Sequence, residues 1–156
     1  MTEKKNIDLL GIGNAITDIL VKVDYNFLEK MKLNIGAMQL TDYETINKTI
    51  NLFKDTKVSA GGSVANTISM VANLGNRCAF IGRRKNDTQG KLFSESMSSS
   101  NILLPNSEVE FGKASSTCLV MITPNGERTM LTYLGASTNL TEEDVDLGLI
   151  ENSKIV

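Results

Sequence analysis

Ser59-Ala60-Gly61-Gly62-Ser63-Val64-Ala65-Asn66-Thr67 sets two glycines where an extended run stops and a helical run starts. Upstream, Lys57 to Ala60 is short and extended. Downstream, Val64, Ile68, Val71 and Ala72 recur at helical spacing and define an amphipathic helix that Gly75 ends. A strand entering a helix through paired glycines offers free N–H donors at the positive end of the helix dipole. Asn66 adds a side-chain amide in the first turn. Open α/β sheets bind ligands at such strand ends. An ordinary glycine-rich helix entry and a solvated Asn66 are the plain alternatives.

Around this stretch the chain alternates strands and helices, which argues for an α/β sheet. Ile7 to Ile12 reads as a buried strand ending in Gly-x-Gly, and Ile19 to Val23 as a second. Asn26 to Met31 is a short helix and Ala37 to Leu40 a short strand. Thr41 and Glu44 form a Thr-x-x-Glu capping box ahead of a helix carrying Ile46, Ile50 and Phe53 on one face. Cys78 to Ile81 is a strand closed by Gly82. Asp87 to Met97 is a helix whose frayed end is Ser98-Ser99-Ser100. Thr117 to Thr123 and Glu127 to Leu134 flank Pro124-Asn125-Gly126, a hairpin. Thr141-Glu142-Glu143-Asp144 opens a last short helix. The strands at 17–23 and 117–134 lie too close in sequence for βαβ units and predict a small accessory sheet.

The 156 residues make one domain or part of one. Apolar residues are 41%, charged residues 22%, and the formal charge is −2. That balance lacks the basic surface of a nucleic-acid binder. No apolar run approaches the roughly 20 residues of a membrane span. Met1 to Lys5 is not followed by a signal-type apolar segment, so a cytoplasmic location is expected. Cys78 and Cys118 sit in apolar runs without CxxC spacing and read as reduced, buried thiols. With no histidine, the commonest general base and metal ligand is missing, and no metal ligand set is expected.

Gly11-Ile12-Gly13-Asn14-Ala15 invites a dinucleotide reading, but a Rossmann fingerprint needs a glycine where Ile16 stands. A tight turn is one alternative. The other adds Asp18, a carboxylate near Asn14 able to accept hydrogen bonds from neighbouring sugar hydroxyls. Arg128, just past the hairpin turn, is either a surface arginine or a phosphate contact. Arg83-Arg84-Lys85 reads as a solvated loop rather than a binding patch.

Taken together, GIGNAITDILV at 11–21, SAGGSVANT at 59–67, LGNRCAFIG at 74–82, NDTQG at 86–90 and TPNGERTMLTYLGAS at 123–137 resemble the ribokinase–adenosine kinase family of PfkB-type carbohydrate kinases. The resemblance implies a partial ribokinase-like doubly wound sheet with a small β-sheet lid drawn from 17–23, 37–40 and 117–134. It implies ATP-dependent phosphorylation of a hydroxymethyl group on a sugar or nucleoside, with magnesium and potassium as accompanying ions. By matching position, Asp18 and Asn14 would hold sugar hydroxyls, and Gly61, Gly62 and Asn66 would complete the acceptor site. Arg128 would be a lid or phosphate contact. Apolar lid side chains, Leu119 or Met121 or those of the opposite strand face, would cover the acceptor, since alternation alone does not say which face points inward. The lid's open edges would allow a homodimer.

Two departures stand out. Arg84 and Lys85 replace the family's valine-glycine pair, adding bulk and charge to the 82–90 loop. The family's Asp-Thr-x-Gly-Ala-Gly-Asp signature, which carries the catalytic base and anion hole, is absent from these 156 residues. The chain therefore reads as an acceptor-binding N-terminal half without catalytic residues of its own, and alone it is expected not to turn over ATP. The run beginning at Lys154-Ile155-Val156 fits that reading. A non-catalytic sugar- or nucleoside-binding or interaction module is the alternative, and a dinucleotide-binding half-domain a weaker one. The GERTM run followed by Leu134-Gly135-Ala136 leans toward the adenosine kinase-like branch.

Overall fold

The computed structural model describes residues 6–156; the Met1 to Lys5 segment lies outside the described residues. Two sheets organise the chain. The first is parallel, in the order β5-β1-β8, built from β1 (Ile7–Ile12), β5 (Cys78–Ile81) and β8 (Ser153–Ile155). Parallel sheets are covered on both faces, and β5 is apolar and buried at every position. On one face α3 (Ser63–Asn73) and α4 (Thr88–Ser99) bury Ile68, Phe80, Phe93 and Met97. On the other, Leu10, Ala79 and Ile81 pack with Leu149 and Ile150 of α5 (Leu147–Glu151).

The second sheet has five strands in the order β3-β7-β6-β2-β4. It comprises β2 (Ile16–Lys22), β3 (Met38–Leu40), β4 (Lys57–Gly61), β6 (Ser116–Ile122) and β7 (Arg128–Tyr133). It gathers the runs at 17–23, 37–40 and 117–134 and adds Lys57–Gly61 as an edge strand antiparallel to β2. Pairing between β2 and β6 is parallel; between β6 and β7 it is antiparallel across the hairpin. Helices α1 (Tyr25–Lys30) and α2 (Tyr43–Ile50) belong to this side, and the Phe27, Leu28, Ile50 and Phe53 side chains pack onto one sheet face.

Three readings of local structure change. The cap of α2 is Asp42, not Thr41: the Asp42 carboxylate accepts from Thr45 N at 2.8 Å, while Thr41 N donates to Thr132 O. Thr41 is spent extending the β3 ladder, so the cap falls to its neighbour. The Thr141 capping box does form, with Asp144, but it closes a single 3₁₀ turn at Glu142–Asp144. The helix proper starts again at Leu147 under its own cap, Asp146. The 98–99 serines are helical, and Ser100 is the C-cap.

Candidate acceptor site

The strand pairing transfers the orientation of Asp18 across the whole five-stranded sheet. Side chains alternate faces along a strand, and paired residues share a face. Asp18 pairs with Ser59 on β4 and Cys118 on β6; Cys118 pairs with Thr132 on β7, and Thr132 with Leu40 on β3. Two residues further out, the next row on this face is Leu20, Val120, Met130 and Met38. The Asp18 face is thus a polar spot bordered by an apolar row. Met38 and Leu40 are 53% and 62% exposed, so this face is only partly covered.

Leu119 and Met121 point the other way. Both are fully buried against the α1–α2 side with Ile19 and Val21. The residues able to cover a ligand bound at Asp18 are Leu20, Val120 and Met130, which the sequence reading did not single out. Alternation within β6 gave no warning, because nearly all of Ser116–Ile122 is buried. Only the register from Asp18 reveals them.

At the inner end of β2 the site residues converge. A Cβ added at Gly61 would lie 2.1–2.2 Å from the Asp18 carboxyl atoms, so glycine is what leaves room for that carboxylate. Gly62 is the N-cap of α3 with φ +94° and ψ 146°, backbone that only glycine readily adopts. A Cβ there would also stand 3.1 Å from the Asn14 carbonyl. Asp18, Gly61, Gly62 and Asn14 therefore form one group. Asn66 joins it through the backbone, its N–H closing the first helical bond on Gly62 O at 2.9 Å. The Asn66 side chain is exposed and makes no hydrogen bond to Asp18; the Asn14 side chain is exposed too.

Half-buried Asp18 receives no hydrogen bond from any group among the described residues. Burial pushes its carboxyl up to about 6, and the positive charge of Arg128 works in the opposite direction. Arg128 is exposed on the same sheet face, opposite Ile122, at the outer end of β7. Cys118, beside Asp18, is pushed up to about 11 by burial, against the hydrogen bond from the Thr132 hydroxyl. Its thiol stays protonated and inert, and both cysteines are free and buried.

The Arg83-Arg84-Lys85 segment is not a solvated loop. Arg83 pairs with Asp144 at 2.7 Å, Arg84 is 3% exposed, and Lys85 Nζ donates to Gly112 O. The bulk of Arg84 is turned into the protein, while the Lys85 amine stays at the surface. After Gly11-Ile12-Gly13 the chain enters β2, not a helix, so the geometry of a dinucleotide fingerprint is absent. Among the described residues, no group of three or more His, Cys, Asp or Glu side chains could hold a metal ion. No described helix is long and apolar enough to cross a membrane.

A three-stranded parallel sheet flanked by helices, joined through a glycine-entered helix to a five-stranded sheet that carries Asp18, matches part of a ribokinase-like fold. The family model "pfkB family carbohydrate kinase" matches residues 31–156, and the chain belongs to that family. The adenosine kinase of Sinorhizobium meliloti superposes with a TM-score of 0.88 at 32% identity, over 96% of this chain and 46% of that one. The adenosine kinase of Schistosoma mansoni in complex with adenosine gives 0.82 at 25% identity, over 94% and 46%. Among curated proteins, the probable fructokinase-7 of Arabidopsis thaliana is 32% identical over 154 residues, covering 96% of this chain and 41% of that protein. The chain thus spans less than half the length of these relatives.

Proposed function

We propose that this chain supplies the acceptor-binding part of an enzyme that transfers the γ-phosphoryl group of ATP to a hydroxymethyl oxygen of a sugar or nucleoside. The acceptor oxygen forms the new bond to phosphorus, the bond to the β-phosphate bridge breaks, ADP leaves, and the hydroxyl proton passes to a base. That base, the ATP site and the accompanying magnesium and potassium ions belong, in this reading, to the part of the relatives' length that these 156 residues do not span. Transfer of this kind rests on positioning and electrostatics, and the residues here serve positioning.

The observation that carries the reading is the unpartnered Asp18 carboxylate packed on Gly61. An ionised carboxylate desolvated in this way is held at a cost, and a vicinal diol relieves it with two charge-assisted hydrogen bonds. Asn14 and the first turn of α3, with Asn66, stand beside it to complete a polyol site. The five-stranded sheet then acts as the lid whose Asp18 face covers the acceptor and excludes water. Arg128, on that face, is placed to meet phosphate on closure.

Beyond Asp18 the apolar row of Leu20, Val120 and Met130 favours a nucleoside over a hexose. A ribose diol on Asp18 leaves a flat base to cover that row, whereas a hexose would set hydroxyls against it without partners. Isothermal titration with adenosine and with fructose tests both levels. Adenosine binding tighter than fructose supports the nucleoside reading; the reverse order overturns it, and no binding of either overturns the acceptor site. Binding by the complete protein without ATP turnover would assign it to the non-catalytic class.

A further inference from the structure

Residues 81–89 lie against the 13–17 segment at several points. Gly13 N donates to Ile81 O at 3.0 Å. A Cβ on Gly82 would stand 2.7 Å from Gly13 O, so the two backbones touch. The Ser137 hydroxyl lies 3.4 Å from Ala15 O and 3.5 Å from Arg83 O, bridging both. Thr17 Oγ1 donates to Gln89 O at 2.8 Å. The turn bearing Asn14 and the strand bearing Asp18 are thus laid on the 81–89 segment.

Alongside the backbone bonds that Val109 makes with Arg84 O and Asn86 N, the buried side chain of Arg84 ties that segment down at Gly82. Its Nε donates to Ser94 Oγ at 2.6 Å and to Glu108 Oε1 at 3.3 Å. Its Nη1 donates to Gly82 O at 3.3 Å and its Nη2 to Asn106 O at 3.0 Å. Asn106 Nδ2 gives Gly82 O a second donor at 3.0 Å, and Ser94 in turn donates to Glu108. One planar fork therefore reaches α4, the 104–109 connection and the peptide that faces Gly13. A lysine, with a single nitrogen, cannot span these acceptors.

We propose that Arg84 is a positioning residue for the acceptor site: by clamping the Gly82 peptide it sets the Gly13–Asn14 turn and, through Thr17, the entry of the Asp18 strand. This rests on the acceptor reading above for its functional consequence, but the positioning itself is measurable without any ligand. Neither Gly82 nor Arg84 touches the acceptor in this assignment; the effect is carried by backbone.

Amide hydrogen exchange on the protein carrying Arg84→Met, Arg84→Lys or Asn106→Ala tests it. The Gly13 amide, bonded to Ile81 O one residue before the clamped Gly82 carbonyl, reports the segment, and the Leu10 and Ala79 amides of the same parallel sheet serve as reference. Loss of a buried hydrogen-bond partner is expected to raise exchange at Gly13 by about tenfold relative to the reference. Arg84→Lys should behave like Arg84→Met. Asn106→Ala strands no buried charge and should show a smaller rise at the same amide, which keeps the test decisive should the Arg84 variants fail to fold. With adenosine as probe, the dissociation constant should rise in parallel. Exchange rising uniformly over the sheet, or Gly13 unchanged in Asn106→Ala, would make the cluster merely structural and overturn the proposal; so would full restoration by lysine. Failure of the wild-type protein to bind adenosine or fructose would instead refute the acceptor reading, with the exchange pattern still deciding the clamp.

Discussion

The two faces of the five-stranded sheet are built from the same strands and differ in almost everything else. On one, Ile19, Val21, Leu119, Met121 and Leu131 are buried with Leu28, beneath two helices. On the other, Ser59, Asp18, Cys118, Thr132 and Leu40 form a row beside a half-covered apolar one. A protein that needed this sheet only for stability would have no cause to put a half-buried carboxylate without a hydrogen-bonding partner in it. The difference separates the face that holds the fold together from the face proposed to meet the acceptor.

The largest effect should come from Asp18→Asn. Removing a carboxylate that accepts two hydroxyl bonds is expected to weaken adenosine binding by about 100-fold, measured by titration calorimetry at pH 7.5. The same variant should raise the melting temperature at that pH. The folded-state pKa of Asp18 is raised from 3.8 to about 6. Below 3.8 the group is protonated in both states and costs nothing; between 3.8 and 6 the unfolded chain ionises first and stability falls; above 6 the full penalty remains. The melting-temperature gain should therefore vanish near pH 3.5. Acceptor binding by the wild type should weaken as pH falls through about 6, because the ionised carboxylate is the acceptor. A destabilised variant at pH 7.5, or pH-independent binding, would break the contrast between the faces.

On the covered face, Leu119→Ala should cost about 3 kcal/mol of stability by urea denaturation, the usual magnitude for a fully buried leucine. Its adenosine affinity, measured where the variant is folded, should stay within about twofold, since a cavity of that kind acts on packing rather than on the ligand. Met130→Ala, on the open face, should show the reverse: about tenfold weaker nucleoside binding from lost apolar contact, with a stability change under about 1 kcal/mol. Fructose binding should be the less affected. If Leu119→Ala impairs binding and Met130→Ala does not, the faces have been assigned the wrong way round. Smallest is Asp42→Ala at the cap of α2, the helix over the covered face. It should cost about 1 kcal/mol by urea denaturation and leave binding unchanged.

Much of this arrangement is legible in the residues. Gly62 occupies a conformation with φ +94°, and the Gly-Gly pair before an amphipathic run announces it. The Asp18 carboxylate fills the space that Gly61 leaves, which is why the two motifs resemble a kinase family when read together. Other features could not be read. The β6 run, Ser116–Ile122, carries no polar alternation to mark its faces, so Leu119 and Val120 are distinguishable only through pairing with β2. Thr41 and Asp42 are both competent caps, and a ladder bond from Thr41 N to Thr132 O, far along the chain, decides between them. Arg84 sits in a basic triplet that looks solvated; its partners Ser94, Asn106 and Glu108 are 10, 22 and 24 residues away and come together only in the folded chain.

The central claim is that the Asp18 carboxylate, beside the paired glycines, receives the hydroxyls of the acceptor. Its most direct test is calorimetric titration of adenosine into the wild-type protein and into Asp18→Asn at pH 7.5. Saturable binding by the wild type, weakened about 100-fold in the folded variant, is the predicted result. Equal affinity in the two would contradict it.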